Sequence, residues 1–414
     1  MKAESNSVAC RHEAWWEEEH ASYRFVSDLI AAEFASMRRT GVSLPLLPWS
    51  PTLHLCEDLG ADSLELMELA SALAESVHMH ESGIEDYLLA RPTLGDWVVI
   101  MQTGLRRFSD RLTFRTSGST GTPKSCEHAL SALMQETEAL APLFAGTRRI
   151  YSAVPSHHIF GFIFTVLLPR TLGVSDQPII DLRGGSPARL AHELQDGDLG
   201  IGHPAFWGAV ARLVPRLSIG TIGVTSTAPC PDEVSQMLMR AGIGRLVQVY
   251  GSSETAGLGW RDLAGAAYQL FPHWKRSSPD GDELVRTLPD GHRIAFRVQD
   301  KLAWCDDHQF HLHGRMDDAV QVGGINVFPS RVRQLLLQHP DVRDAAVRLM
   351  HPEEGSRLKA FIVPRVHGRS HAELHAALES WTNAQLTAVE RPKAFTFGEQ
   401  LPANASGKAT DWRL

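Results

Sequence analysis

The residues best equipped for chemistry begin with Thr116-Ser117-Gly118-Ser119-Thr120-Gly121-Thr122-Pro123-Lys124. Small hydroxyls and two glycines crowd into one stretch, and a single lysine follows. Hydroxyls and exposed backbone N–H groups suit an anionic polyphosphate, and glycine lets the backbone approach it closely. The spacing is not that of a Walker loop, G-x-x-x-x-G-K-[ST]. Taken alone, the stretch also admits a second reading as an ordinary Ser/Gly-rich turn.

Four further patches follow it. Gln248-Val249-Tyr250-Gly251-Ser252-Ser253-Glu254-Thr255 ends an apolar run in a turn with one carboxylate. Asp300 lies fifteen residues before Arg315, and Arg315 sits in Gly314-Arg315-Met316-Asp317-Asp318. Leu401-Pro402-Ala403-Asn404-Ala405-Ser406-Gly407-Lys408 places a lysine six residues from the last residue printed.

The 414 residues are long enough for two to four domains. An apolar fraction of 43% and a charged fraction of 21% suit a soluble globular protein. The net charge of −8, with no basic run, speaks against a nucleic-acid partner. Cys10, Cys56, Cys126, Cys230 and Cys305 form no C-x-x-C pair, which suits reduced thiols in the cytoplasm. No apolar stretch approaches the roughly 20 residues of a membrane span, and the N-terminus carries no apolar signal region. His308, His311 and His313 lie close together but have no convergent partner set, so a polar strand face is the expectation, not a metal site.

The elements that must position these patches change character along the chain. Residues 1–21 read as a polar leader spotted with aromatics, and 22–104 read as helical. Asp62 and Glu65 form a capping-box pattern ahead of a stripe of Leu64, Leu66, Met67, Leu69 and Leu73. From about residue 110, apolar runs at 150–154, 199–202, 221–224 and 246–250 alternate with helical segments. This is a βα series, with ligand loops expected at strand ends. After residue 318 the pattern becomes a small α+β unit: helix 329–338, strands 345–350 and 358–363, helix 371–386 and strand 393–397.

In this order, the patches resemble the adenylate-forming superfamily of acyl- and aryl-CoA synthetases, adenylation domains and luciferases. The resemblance covers residues from about 110 to 414. It implies an α/β large adenylating domain over 105–315 and a small α+β C-terminal lid over 316–414. It implies that a carboxylic acid is joined to ATP, that pyrophosphate leaves, and that the acyl-adenylate is passed to a thiol. Repulsion between a carboxylate and an anionic α-phosphate is the main obstacle, and positive charge where negative charge develops removes it. Lys408 matches the lysine that the family brings in on its lid. Thr116, Ser117, Gly118, Ser119, Thr120 and Gly121 match the phosphate loop, with Lys124 as mobile counter-charge. Tyr250, Gly251, Ser252, Ser253 and Thr255 match the adenine-side motif. Glu254 within it matches the ligand of Mg²⁺, a hard cation that prefers oxygen. Asp300 and Arg315 match the ribose contacts, although Gln299-Asp300-Lys301 stands where the family usually has Thr-Gly-Asp.

The resemblance also makes Asp317 the hinge about which the lid swings between half-reactions. Gly323 and Gly324 match the segment lining the phosphopantetheine tunnel, with Asn326 where the family often has arginine. His157, His158 and Phe160 match a gate beside the acid's carboxylate, and Ser226 and Ala228 a loop of the acyl pocket. Phe160, Phe162, His203 and Trp207 read equally well as pocket walls or as ordinary core. Aromatic and histidine lining favours a flat, hydroxylated acid over a long aliphatic chain.

Ahead of the phosphate loop, Asp58-Leu59-Gly60-Ala61-Asp62-Ser63-Leu64-Glu65-Leu66 resembles the modification site of an acyl carrier protein. The acidic run through residue 86, free of lysine and arginine, fits that likeness. The resemblance implies a small all-α carrier-like domain over 22–104. Ser63 is then either the attachment point of a phosphopantetheine arm or a plain helix-start residue. The expected function is an ATP- and Mg²⁺-dependent ligase that loads an aromatic, hydroxybenzoate-like acid onto a phosphopantetheine thiol. The acceptor is a carrier protein in cis or in trans, or CoA. Two rivals stand beside it: an acyl-CoA or fatty-acid ligase with a structural N-terminal region, and a non-catalytic nucleotide-binding scaffold.

Overall fold

The computed structural model describes residues 14–38, 44–116, 124–278, 283–315, 319–365, 370–402 and 410–414. They fall into two compact units, one running to His313 and the other from Gly314 onward. Ser117, Gly118, Ser119, Thr120, Gly121, Asp317 and Lys408 lie outside the described residues. No described helix is long and apolar enough to cross a membrane.

The first unit opens with helices α1 (Glu19–Met37), α2 (Ser63–Ser76) and α3 (Leu94–Leu105). The capping box at Asp62 forms as its spacing predicts: the Asp62 carboxylate accepts from the Leu64 and Glu65 amides at 2.8 and 2.9 Å. The Asp62 amide in turn donates to Glu65 Oε2 at 3.1 Å. The apolar stripe is only half buried, however. Leu69 and Leu73 are inside, whereas Leu64 is 70% and Met67 45% exposed.

An antiparallel pair follows, β1 (Arg111–Thr116) and β2 (Lys124–Ala129), with Thr116 opposite Lys124. The predicted phosphate loop therefore joins the two strands of a hairpin. Next come helix α4 (Leu130–Leu140), strands β3 (Arg149–Ser152), β4 (Ile180–Asp181) and β5 (Asp198–Gly202), and helix α5 (Pro204–Leu213). Strand β6 (Ile222–Thr225), helix α6 (Asp232–Ala241) and strand β7 (Arg245–Ser252) complete the βα series. Strands β8 (Ala256–Arg261) and β9 (Tyr268–Leu270) precede a separate antiparallel sheet of β10 (Trp274–Arg276), β11 (Glu283–Thr287) and β12 (Arg293–Arg297). Strands β13 (Asp300–Trp304) and β14 (Gln309–Arg315) follow, and the first unit ends within β14, at His313.

The main sheet has the order β13-β14-β9-β8-β7-β6-β5-β3-β4. Strands β4, β3, β5, β6 and β7 run parallel. Their apolar runs are continuous, not alternating, because helices cover both faces, and Leu199, Ile201, Val224 and Val247 are fully buried.

The N-terminal helices and the sheet share one hydrophobic core. Trp15, Phe25 and Phe114 all pack their rings on Phe162, with centroids 5.1, 5.6 and 5.4 Å away. Ala14, Trp15 and Trp16 thus belong to the core, within the stretch expected as a polar, aromatic-spotted leader, while Glu17, Glu19 and His20 are exposed. The sequence divides the chain near residue 104; in the structure the helices before that point and the strands after it bury their apolar faces against each other.

The second unit contains the hairpin β15 (Val320–Val322) and β16 (Ile325–Val327). Helix α7 (Pro329–Leu337), strands β17 (Val342–Leu349) and β18 (Leu358–Pro364), helix α8 (His371–Gln385) and strand β19 (Ala394–Phe397) follow. These are the elements read from sequence, shifted by up to three residues at their ends. Ser370 caps α8 with Glu373 in a second capping box.

Candidate active site

The sequence-predicted residues of the first unit gather at the carboxyl ends of adjacent parallel strands. Residues 153–160 follow β3, His203 follows β5, Ser226 to Pro229 follow β6, and Glu254 lies in the turn after β7. In open α/β sheets this edge is where ligands bind. Two non-glycine residues there hold a left-handed backbone, Thr227 at φ 76° and Ala256 at φ 58°. Such geometry costs about 1–3 kcal/mol per residue and collects at functional sites.

The turn that carries Glu254 is held from several directions. The Ser252 amide donates to Thr255 Oγ1 at 3.1 Å, and the Thr255 amide donates to Ser252 Oγ at 3.2 Å. His128 Nε2, buried below, donates to the Ser253 carbonyl at 2.7 Å. Burial, ahead of its other neighbours, keeps the His128 ring below its usual pKa, so a neutral ring with hydrogen on Nε2 fits this bond. Gly251 has no room for a side chain, because an added Cβ would lie 2.0 Å from the Ala256 carbonyl oxygen. Gly251→Ala is expected to cost about 1–3 kcal/mol of stability by overpacking. Denaturant unfolding checks this, and an unshifted midpoint would show that the turn relaxes freely.

Lys124 Nζ donates to Glu254 Oε1 at 2.9 Å. Burial pushes the Glu254 carboxyl up, but the lysine's hydrogen bond and charge outweigh it and hold the group below its usual range. The same bond raises the lysine. A partly exposed carboxylate held in its ionised form at neutral pH is a fit donor for Mg²⁺. Among the described residues no three His, Cys, Asp or Glu side chains converge. One carboxylate plus substrate phosphate oxygens and water is the arrangement Mg²⁺ commonly takes.

Tyr250 and Asp300 are fifty residues apart in sequence, yet the tyrosine hydroxyl donates to Asp300 Oδ2 at 2.7 Å. The Tyr250 ring packs on Tyr268 and Phe310 at 5.8 and 5.6 Å. An aromatic face and a carboxylate are therefore side by side, despite the altered residues around Asp300. Arg315 is the last residue of β14, beside β13 in the sheet.

The acid-side residues divide. Burial, then the neighbouring His158 and Arg183, hold His157 well below its ordinary pKa. Its Nδ1 is buried and makes no hydrogen bond to any described residue. The His158 ring lies tilted against it, with centroids 4.1 Å apart. His203 caps α5, its Nδ1 accepting from the Phe206 amide at 3.2 Å. Phe160 is buried against Phe164, with centroids 5.0 Å apart. Phe162 and Trp207 are core and not pocket wall. Phe162 lies inside the aromatic cluster, and the Trp207 indole N–H donates to the Val224 carbonyl at 2.9 Å in a second core. Ser226 and Ala228 flank the strained Thr227 and are half-buried.

Ser63 is exposed at the first position of α2. Gly323 and Gly324, at φ 60° and 83°, form the two-residue turn between β15 and β16. That turn needs a positive φ at both positions, which is a local reason for both glycines.

Sequence reasoning missed the residues beneath the Glu254 turn: His128, Glu136, Trp274 and Arg286. Glu136 carried a signal, since it stands beside Thr137 on the face of α4 that buries Leu133 and Leu140. A charge on an apolar stripe is informative.

Residues 114–280 match the family model for AMP-binding enzymes, and residues 332–408 match the model for their C-terminal domain. The chain is 36% identical over 407 residues to a 4-coumarate–CoA ligase of Cereibacter sphaeroides, covering 94% of this chain and 95% of that protein. The chain belongs to the adenylate-forming enzymes. A 4-coumarate–CoA ligase of Halorhodospira halophila is 39% identical over 352 residues, 85% of this chain and 88% of the other. The fold is shared with the amide bond synthetase of Marinactinospora thermotolerans, at TM-score 0.60 and 18% identity over 95% of this chain and 92% of that one. The chain is thus an AMP-forming ligase. An alignment over 94% of it takes in most of the N-terminal helices as well, so they are part of what is shared.

Proposed function

We propose that this ligase activates an aromatic carboxylic acid with MgATP and transfers the acyl group to a phosphopantetheine thiol, that of CoA. The observation that carries the reading is the Lys124–Glu254 pair on a strained turn next to the Tyr250–Asp300 contact. Together they supply a phosphate counter-charge, a metal-ligating carboxylate, an aromatic face for a base and an acceptor for ribose hydroxyls. Bound Mg²⁺ would neutralise phosphate charge, with Glu254 as its protein ligand.

In the first half-reaction an acid oxygen bonds to the α-phosphorus and the bond to pyrophosphate breaks. Lys408 supplies positive charge to that in-line exchange. In the second, the thiolate bonds to the acyl carbon and AMP leaves with the electron pair of the broken C–O bond. The neutral, desolvated His157 gives the acid a partner that does not compete for its negative charge. An aromatic acid is supported by the names of the two curated relatives. CoA is favoured as acceptor over an arm on Ser63. The helix bearing Ser63 buries Leu69 and Leu73 in the same core as the sheet, which ties it down where a carrier must travel.

Acid-dependent exchange of labelled pyrophosphate into ATP tests this, run across cinnamates, hydroxybenzoates and fatty acids, with acyl-CoA detected by mass. Exchange with aromatic acids is the expected result. Exchange with fatty acids alone would overturn the substrate class, and nucleotide binding without any exchange would leave a scaffold.

A further inference from the structure

Two buried groups of opposite charge face the far side of the Glu254 turn. Glu136, on α4, is 2% exposed, and its Oε2 accepts from the Gly257 amide at 2.9 Å. Arg286, on β11, is also 2% exposed. Its Nη1 donates to the Thr255 carbonyl at 3.3 Å and its Nη2 to the Ala132 carbonyl. The guanidinium lies over the Trp274 ring, 5.5 Å from its centroid, and the Trp274 indole donates to the Gly257 carbonyl at 2.8 Å. The acid and the base thus grip the backbone on either side of Ala256, the residue with left-handed φ.

Packing explains part of this. A Cβ on Gly257 would lie 2.4 Å from Glu136 Oε1, so the carboxylate reaches the backbone only because residue 257 is glycine. Burying a carboxylate and a guanidinium is costly, and hydrophobic residues would fill the space as stably. A strained non-glycine turn stays in place only when its surroundings over-determine it. Charge-assisted hydrogen bonds, about twice as strong as neutral ones, are suited to that. Burial raises the Glu136 carboxyl to about 7 against the opposing pull of Arg286 and the Gly257 amide.

We propose that Glu136 and Arg286 are positioning residues that hold the Glu254 carboxylate where it meets metal-bound ATP. The inference rests on Glu254 being the metal ligand. Its reach is specific: the pair grips the adenine- and metal-side turn after β7 and touches none of the acid-side residues. Loosening it affects the nucleotide and the metal, leaving the acid untouched.

Glu136→Gln keeps an oxygen for the Gly257 amide and removes the charge. It also resembles the protonated carboxyl, so the core stays filled. Pyrophosphate exchange is measured against MgATP, free Mg²⁺ and acid, and equilibrium binding of ATP is titrated calorimetrically with and without Mg²⁺ in the absence of acid. The expected result is a rise of about tenfold in the half-saturating Mg²⁺ and MgATP concentrations, since misplacement by about 1 Å can cost ~100-fold. The KM for acid stays within about twofold of wild type by the same argument. Arg286→Lys, which keeps the charge but loses the fork, is expected to do the same and is read instead where the first variant does not fold. Unchanged metal dependence, or equal rises for acid and MgATP, overturns the proposal in favour of a plain core role. Glu254→Gln separates the two claims: if it too leaves metal dependence unchanged, the ligand assignment fails; if it alone shifts, only the positioning role fails.

Discussion

Lys408→Ala is expected to lower acid-dependent pyrophosphate exchange by about 10²–10³-fold, the loss typical of one preorganised electrostatic contact in a transition state. The first half-reaction brings a carboxylate against an α-phosphate, and both are anionic. In water the repulsion is screened; inside a desolvated cleft it is not. A cation that meets both groups in the transition state stabilises the transition state more than the separate reactants, which is the condition for raising a rate. Of the lysines in the matched motifs, Lys124 is already paired with Glu254 at 2.9 Å and is the one proposed for the β- and γ-phosphate side. Lys408 ends the Leu401-to-Lys408 motif inside the segment that matches the C-terminal family model. The second half-reaction puts a different demand on the enzyme, because the leaving group is AMP and no new phosphate bond forms. Thioester formation from a preformed acyl-adenylate is therefore expected to survive the substitution within about tenfold. Quenched-flow or single-turnover assays of each half separately check this. Equal loss in both halves would mean that Lys408 serves the fold of its unit, and unchanged exchange would remove its role.

Much of the candidate site was legible because the chemistry sits in local runs. The 248–255 motif spells its own turn, and Asp62 with Glu65 spells a helix start, since those contacts lie within three residues. The parallel strands were visible as continuous apolar runs, which is what burial on both faces requires. What stayed hidden is long-range. Asp300 gains its meaning from Tyr250, fifty residues earlier, and no spacing rule links a β13 carboxylate to a β7 ring. The supports of the Glu254 turn come from β2, α4, β10 and β11, each contributing one side chain. Phe162 and Trp207 read as possible walls because aromatic type does not reveal which face of a helix is turned inward. The N-terminal helices present the same difficulty. Their capping, acidity and spacing match a carrier protein, but periodicity shows only that a helix has an inner face, and not what it packs against.

Asp28→Ala gives that last point a measurable form. Asp28 lies on α1 and is 2% exposed. Its Oδ2 accepts from both the amide and the hydroxyl of Ser156, each at 2.7 Å. Its Oδ1 pairs with Arg183 Nη1 at 2.7 Å. Arg24, one turn earlier on α1, donates to the Val154 carbonyl at 3.0 Å and reaches Asp181 at 3.5 Å. A single N-terminal helix thus supplies the partners of the loop that leads into His157 and of the segment after β4. Removing the carboxylate leaves Arg24 and Arg183 to share Asp181, to which Arg183 Nε already donates at 3.0 Å, and leaves a buried hydroxyl and a buried amide without an acceptor. Breaking a buried ion pair from one side costs about 3–5 kcal/mol, much more than deleting the pair altogether. The expected result is a fall of that size in the unfolding free energy of the first unit, with Asp28→Asn intermediate because it keeps an oxygen for Ser156. Urea titration followed by tryptophan fluorescence reads it directly, since Trp15 and Trp16 lie in the same core. The complementary experiment removes residues 1–105. A separable carrier domain would leave behind a folded, nucleotide-binding remainder. A helical layer that covers the sheet would leave an aggregating one, because Phe162, on which Phe114 packs, loses the Trp15 and Phe25 rings that bury it. The second outcome is expected, and a soluble remainder with native nucleotide affinity would restore the carrier reading of the N-terminal segment.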